Sequence, residues 1–113
     1  MKELFQRQFM PYEVVRAEKF ETTLKKVPRE LRGWISKVEN QLAIDPFTGD
    51  PLRVPWLREK KYGKFRIYFL IFEKDKVVSL VGLSDKKEQQ ETINNVFRFL
   101  ERYKDEVSEF LNH

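Results

Sequence analysis

The run Phe65-Arg66-Ile67-Tyr68-Phe69-Leu70-Ile71-Phe72 constrains this chain more than any other feature. Its aromatic and β-branched side chains read as a strand, and with Arg66 as its one charge that strand is apolar on both faces. Glu73-Lys74-Asp75-Lys76 then forms a polar turn, and residues 77–83 read as the next strand. Residues 57–62 read as the preceding one, joined through the Tyr62-Gly63-Lys64 region. Together these are an antiparallel three-stranded meander. Gly82, inside the last strand, marks a bulge or a close backbone approach.

The segments on either side turn helical. Residues 12–16 (Tyr-Glu-Val-Val-Arg) first read as a short strand. Phe20, Leu24 and Val27 then fall on one helical face. Pro28 suits the first turn of a second helix, along which Leu31, Trp34, Ile35, Val38 and Leu42 form an amphipathic stripe. Asp45-Pro46 stops it, because the residue before a proline disfavours the α region. Residues 45–55 hold three prolines and one glycine and read as a loop. After the meander, Asp85 and Glu88 have the offset of a capping box, with Ser84 as the alternative cap. Ile93, Val96, Phe97, Leu100, Tyr103, Val107, Phe110 and Leu111 predict one helix over residues 85–111, long enough to overhang a small domain or to fold back over the sheet. Residues 1–11 read as an N-terminal extension, with Leu4, Phe5 and Phe9 at helical spacing. The expected fold class is α+β: an N-terminal strand, two helices, the meander and a long C-terminal helix, the helices lying against one side of a small curved sheet. The 113 residues suit one domain.

Composition narrows the chemistry. The chain has no cysteine and one histidine, His113. That excludes a disulfide framework, a thiol nucleophile, a His-centred triad and a multi-His metal site. The acids show no metal-ligand spacing, so no metal and no cofactor are expected. No apolar run approaches the roughly 20 residues that span a bilayer, and no signal-peptide pattern opens the chain, so the expectation is a cytoplasmic protein with no membrane partner. The net charge of +4 is unevenly spread. Arg58, Lys60, Lys61, Lys64 and Arg66, against Glu59 alone, crowd residues 58–66. Such a cluster is a footprint for a polyanion, or equally a set of lysines that blunts a sheet edge.

Three stretches carry a resemblance. The Tyr12-Glu13-Val14-Val15 strand leads into Phe20, Leu24, Lys25 and Lys26. A helix closes on Asp45-Pro46, with Gly49, Pro51 and Leu52 in the following loop. A basic strand at Leu57–Tyr62 meets the Gly63–Tyr68 turn and strand, and the last strand ends in Leu83-Ser84-Asp85-Lys86-Lys87. Across residues 12–90 the chain resembles the RelE/ParE superfamily of toxins from type II toxin–antitoxin pairs, its RelE-like branch above all. The resemblance implies a metal-independent, ribosome-dependent mRNA endoribonuclease, neutralised by a cognate antitoxin. In that chemistry a 2′-hydroxyl attacks the adjacent phosphate and leaves a 2′,3′-cyclic phosphate. A base, an acid and a cation at the phosphorane are needed.

Carried onto this sequence, Arg66 matches the phosphate-stabilising arginine. Arg58 and Lys60 match two alternating basic positions on the preceding strand. Lys60, crowded by like charges, is the expected base. Lys86 and Lys87 fall near the position of the family's general-acid arginine. Lys61 and Lys64 would hold substrate, and Tyr62 or Tyr68 would stack on a base. The pattern departs in two ways: no tyrosine follows Lys87 before Tyr103, and no histidine stands near the site. Two other functions fit the same fold, a ParE-like gyrase inhibitor and a non-catalytic RNA- or protein-binding module.

Strand parity leaves two outcomes: an odd loop builds one basic, aromatic-flanked site, and an even loop makes a salt-bridged surface strand. A three-residue loop, Gly63-Lys64-Phe65, pairs Tyr62 with Arg66 and Lys60 with Tyr68. A two-residue loop, Gly63-Lys64, pairs Lys61 with Arg66 and puts Glu59 on that face. Trp34 reads as core, and Trp56 as a lid or rim residue.

Overall fold

The computed structural model describes residues 11–113. The expected helical spacing of Leu4, Phe5 and Phe9 lies outside them. The meander is present as β3 (Val54–Tyr62), β4 (Phe65–Phe72) and β5 (Val77–Asp85). β1 (Glu13–Arg16) lies parallel to β5, with Glu13 opposite Val77. A further strand, β2 (Asp50–Leu52), pairs antiparallel with β3 inside the segment that reads as a loop. The sheet order is β1-β5-β4-β3-β2. Pro51 is tolerated because β2 is an edge, where a missing N–H breaks no ladder. A short 3-10 turn, Pro46–Thr48, precedes it, started by the Asp45 carboxylate accepting the Phe47 N–H at 2.9 Å.

Four helices complete the described chain: α1 (Glu18–Leu24), α2 (Arg29–Ile44), α3 (Gln89–Arg98) and α4 (Leu100–Leu111). They lie on both faces of the sheet, not on one. Trp34 of α2 stacks on Tyr62, on the face that carries Phe65, Ile67 and Phe69. Thr92 of α3 crowds Gly82 and Tyr68, on the opposite face. The cause is β4 itself: Ile67, Tyr68, Phe69 and Leu70 are all buried, so each face needs a cover. Gly82 marks the expected bulge, and side-chain packing rather than a neighbouring backbone crowds it. The register slips beside it, between Tyr68 and Phe69 of the partner strand, and a Cβ there would stand 3.0 Å from Thr92 Cγ2.

The C-terminal helix is two helices. α3 starts at Gln89, because Asp85 closes β5 and its carboxylate accepts the Glu88 N–H across the intervening turn. Phe99 breaks the run with φ −103° and ψ 18°. The break falls where different elements hold neighbouring rings. Phe97 meets Trp56 of β3 edge-on at 5.8 Å, and Phe99 lies 3.6 Å under the Lys19 ammonium of α1. α4 lies beside α1, where Arg102 reaches Glu18, with Tyr103 and Val107 buried and Phe110 and Leu111 exposed. Among the described residues no helix is long and apolar enough to cross a membrane.

Two glycines give opposite expectations. Gly33 sits in α2, where an added Cβ meets nothing within 4 Å. Gly33→Ala therefore stabilises the protein by about 0.5–1 kcal/mol. At Gly49 a Cβ would lie 2.5 Å from the Phe69 ring and 3.0 Å from the Glu59 carbonyl. Gly49→Ala costs about 1–3 kcal/mol through overpacking. Urea midpoints of the two variants move in opposite directions from the parent; movement in the same direction contradicts the packing described.

Candidate functional site

The hairpin between β3 and β4 takes the two-residue loop. Tyr62 pairs with Phe65 and Lys61 with Arg66. Gly63 supplies φ +56° at the first loop position, as a II′-type turn requires. Side chains alternate, so Glu59, Lys61, Arg66 and Tyr68 share one face with Ser84 of β5. Arg58, Lys60 and Tyr62 point to the other.

Arg66 is 8 % exposed. Its Nη1 donates to the carbonyls of Gly63 (3.0 Å) and Phe65 (3.2 Å), while its buried Nε has no hydrogen-bond partner among the described residues. An unpartnered buried donor on a cation is costly, and an anionic oxygen would satisfy it. Beside it Tyr68 is fully buried, its hydroxyl 2.9 Å from Ser84 Oγ. Ser84 in turn donates to the Asp85 carbonyl at 2.9 Å, so the phenol is the donor to Ser84. Burial pushes the Tyr68 phenol above its ordinary range. Enclosed in this way, Tyr68 cannot stack on a base, and that expectation is corrected.

Glu59, only 3 % exposed, lies directly opposite Tyr68. Its carboxylate accepts from Gln89 Nε2 at 2.7 Å through one oxygen. The other oxygen stands 3.5 Å from the Lys61 ammonium, whose side chain is half in water. Lys64, Lys86 and Lys87 are exposed at the same end of the sheet, since Phe65 pairs with Asp85 immediately before Lys86.

The register does not bring Arg58 and Lys60 to Arg66. Arg58 works as a staple. Its guanidinium donates to the carbonyls of Pro55 (2.8 Å), Gly49 (2.9 Å) and Phe47 (3.3 Å) and lies over the Phe47 ring, holding the 46–55 segment to β3. Lys60 is half-buried on the α2 side. Ser84 and Gln89 are the residues beside Arg66 that sequence reading did not single out for the site, whereas Glu59 was placed on that face under one of the two loops. The signal for Glu59 was its parity with Arg66 under the two-residue loop.

No family model and no curated protein matches the chain. Solved structures do. A doubly arginine-to-alanine substituted Escherichia coli toxin RelE in the free state matches 79% of this chain and 97% of that one, at 15% identity and TM-score 0.69. The same toxin variant in complex with an antitoxin RelBc peptide matches 73% and 94%, at 15% identity and TM-score 0.62. The archaeal RelE–RelB complex from Pyrococcus horikoshii matches 67% and 96%, at 20% identity and TM-score 0.60. The chain is an α+β protein with the RelE fold.

The buried phenols set an alkaline limit on stability. Burial raises Tyr68, and burial followed by the nearby Glu106 carboxylate raises Tyr103. Both keep protons that the unfolded chain releases near pH 10. Their contribution is intact below that pH and is lost as pH climbs above it toward the folded values. Titration at 295 nm followed alongside far-UV circular dichroism therefore shows a late phenol component that appears with unfolding. The double variant Tyr68→Phe, Tyr103→Phe lacks it; a late component that survives both substitutions contradicts the assignment.

Proposed function

We propose that this chain is a RelE-like toxin of a type II toxin–antitoxin pair, which cleaves messenger RNA at the ribosome and is held inactive by a cognate antitoxin. The observation that carries the reading is Arg66, a nearly buried guanidinium with an unpartnered Nε, ringed by exposed lysines on a RelE fold. RelE neighbours solved with RelB support the antitoxin partner.

In this proposal Arg66 holds the scissile phosphate and stabilises charge on its oxygens as the phosphorane forms. The 2′-hydroxyl oxygen bonds to phosphorus and the bond to the 5′-oxygen breaks, giving a 2′,3′-cyclic phosphate and a 5′-hydroxyl. Lys60, on the far face, does not reach this reaction. The proton acceptor on Arg66's own face is the Glu59 carboxylate, in the place where Gln89 now donates. Lys61 or Lys86 supplies the proton to the leaving oxygen, with Lys64 and Lys87 drawing in the RNA backbone. Tyr68 and Ser84 brace the floor.

Inducible expression of the chain alone, with primer extension on a host message, tests this. Growth arrest with cuts at ribosome-occupied codons is expected, reduced about 100-fold or more in Arg66→Ala. Glu59→Gln, which keeps the shape and the Gln89 contact, reduces cutting while leaving the fold intact. Arrest without cuts overturns the nuclease in favour of the gyrase-inhibiting reading, and a supercoiling assay then follows. Soluble, folded protein with no arrest overturns the toxin.

A further inference from the structure

We infer that the α2-facing side of the β3–β4 hairpin is a second RNA-binding surface, built for unpaired RNA and separate from the Arg66 face. Its centre is the Trp34–Tyr62 pair, with ring centroids 5.2 Å apart and planes 27° from parallel. Tyr62 is 54 % exposed, so one π-face of this stack is turned to water. Phe65 pairs with Tyr62 across the hairpin, and the Lys64 ammonium lies 5.4 Å from the Phe65 ring centre. Lys60 precedes Tyr62 by two residues on the same face, and Lys37 follows Trp34 by one turn of α2.

None of these three ammoniums forms an ion pair among the described residues. Glu59, the acid nearest in sequence, points to the opposite face and is bonded to Gln89. Glu30, one turn before Trp34, is the nearest carboxylate on α2. Beside Trp34, the position of a Gly33 Cβ is open for 4 Å, which leaves room along the stack.

An exposed aromatic stack flanked by unpaired lysines matches the chemistry of single-stranded nucleic acid. Bases stack on the rings, and ammoniums track the phosphates. A buried protein interface would surround Tyr62 with apolar side chains, whereas its neighbours here include the half-buried Lys60 on the same face and the exposed Lys64 at the turn. The Arg66 cluster and the Trp34–Tyr62 stack lie on opposite faces of the hairpin. This surface therefore grips RNA outside the cleaved dinucleotide.

The test uses the full chain with Trp56→Phe, so that Trp34 is the one tryptophan reporter, titrated with a 15-nucleotide oligouridylate at low salt. Quenching of Trp34 is expected. Tyr62→Ala weakens binding about tenfold or more, and Tyr62→Phe restores it. Lys37→Ala with Lys60→Ala lowers the slope of log affinity against log salt by one to two. Lys104→Ala, an exposed lysine on α4, removes one charge elsewhere and leaves affinity within about twofold of the parent. Equal binding by Tyr62→Ala, equal quenching by a duplex of the same length, or an equal loss in Lys104→Ala overturns the inference. Tyr62-dependent binding in a protein that neither arrests growth nor cuts RNA upholds this surface and removes only the nuclease reading.

Discussion

Eight residues of β4 must leave water on both of their faces, and the rest of the molecule is arranged around that demand. Each buried Ile, Leu or Phe is worth about 1.5–3 kcal/mol when its side chain is fully covered. α2 closes the side of Ile67 and Phe69, and α3 with α4 closes the side of Tyr68 and Leu70. Arg66 is the exception within the strand. It is accommodated because it stands next to the turn, where the carbonyls of Gly63 and Phe65 receive its Nη1. Its buried Nε is left without a partner among the described residues.

The two-residue turn then decides which charges meet. With Tyr62 opposite Phe65, the basic strand is divided: Lys61 stays with Arg66, while Lys60 and Arg58 turn toward α2. One more residue in the loop would have gathered Lys60, Tyr62 and Arg66 on a single face and moved Glu59 away from it. A carboxylate inside the cationic cluster is thus a consequence of turn length.

Much of this was legible locally. The bounds of β4 and the stop of α2 at Asp45-Pro46 follow from residue type and period alone, whereas Arg66 was singled out by the resemblance. The hairpin register was not legible, because Gly63-Lys64-Phe65 contains turn chemistry for both loops. The break at Phe99 was hidden for a different reason. The stripe from Ile93 to Leu111 keeps helical spacing throughout, and the interruption comes from what Phe97 and Phe99 touch on β3 and α1. Three residues of β2, one of them proline, carry too little pattern to be seen. The burial of Tyr68 and Glu59 depends on where α3 lands, which no property of the hairpin announces.

The parallel pairing of β1 with β5 has a consequence in time. β1 leaves the ribosome first, but its partner is made only after two helices and three further strands. Until then Glu13–Arg16 has no ladder, and the sheet cannot close around its apolar strand. Contacts this distant in sequence form late and slow the search for the native state. The sheet therefore closes only after β5 has been made, with sticky edges that need shelter in the interval.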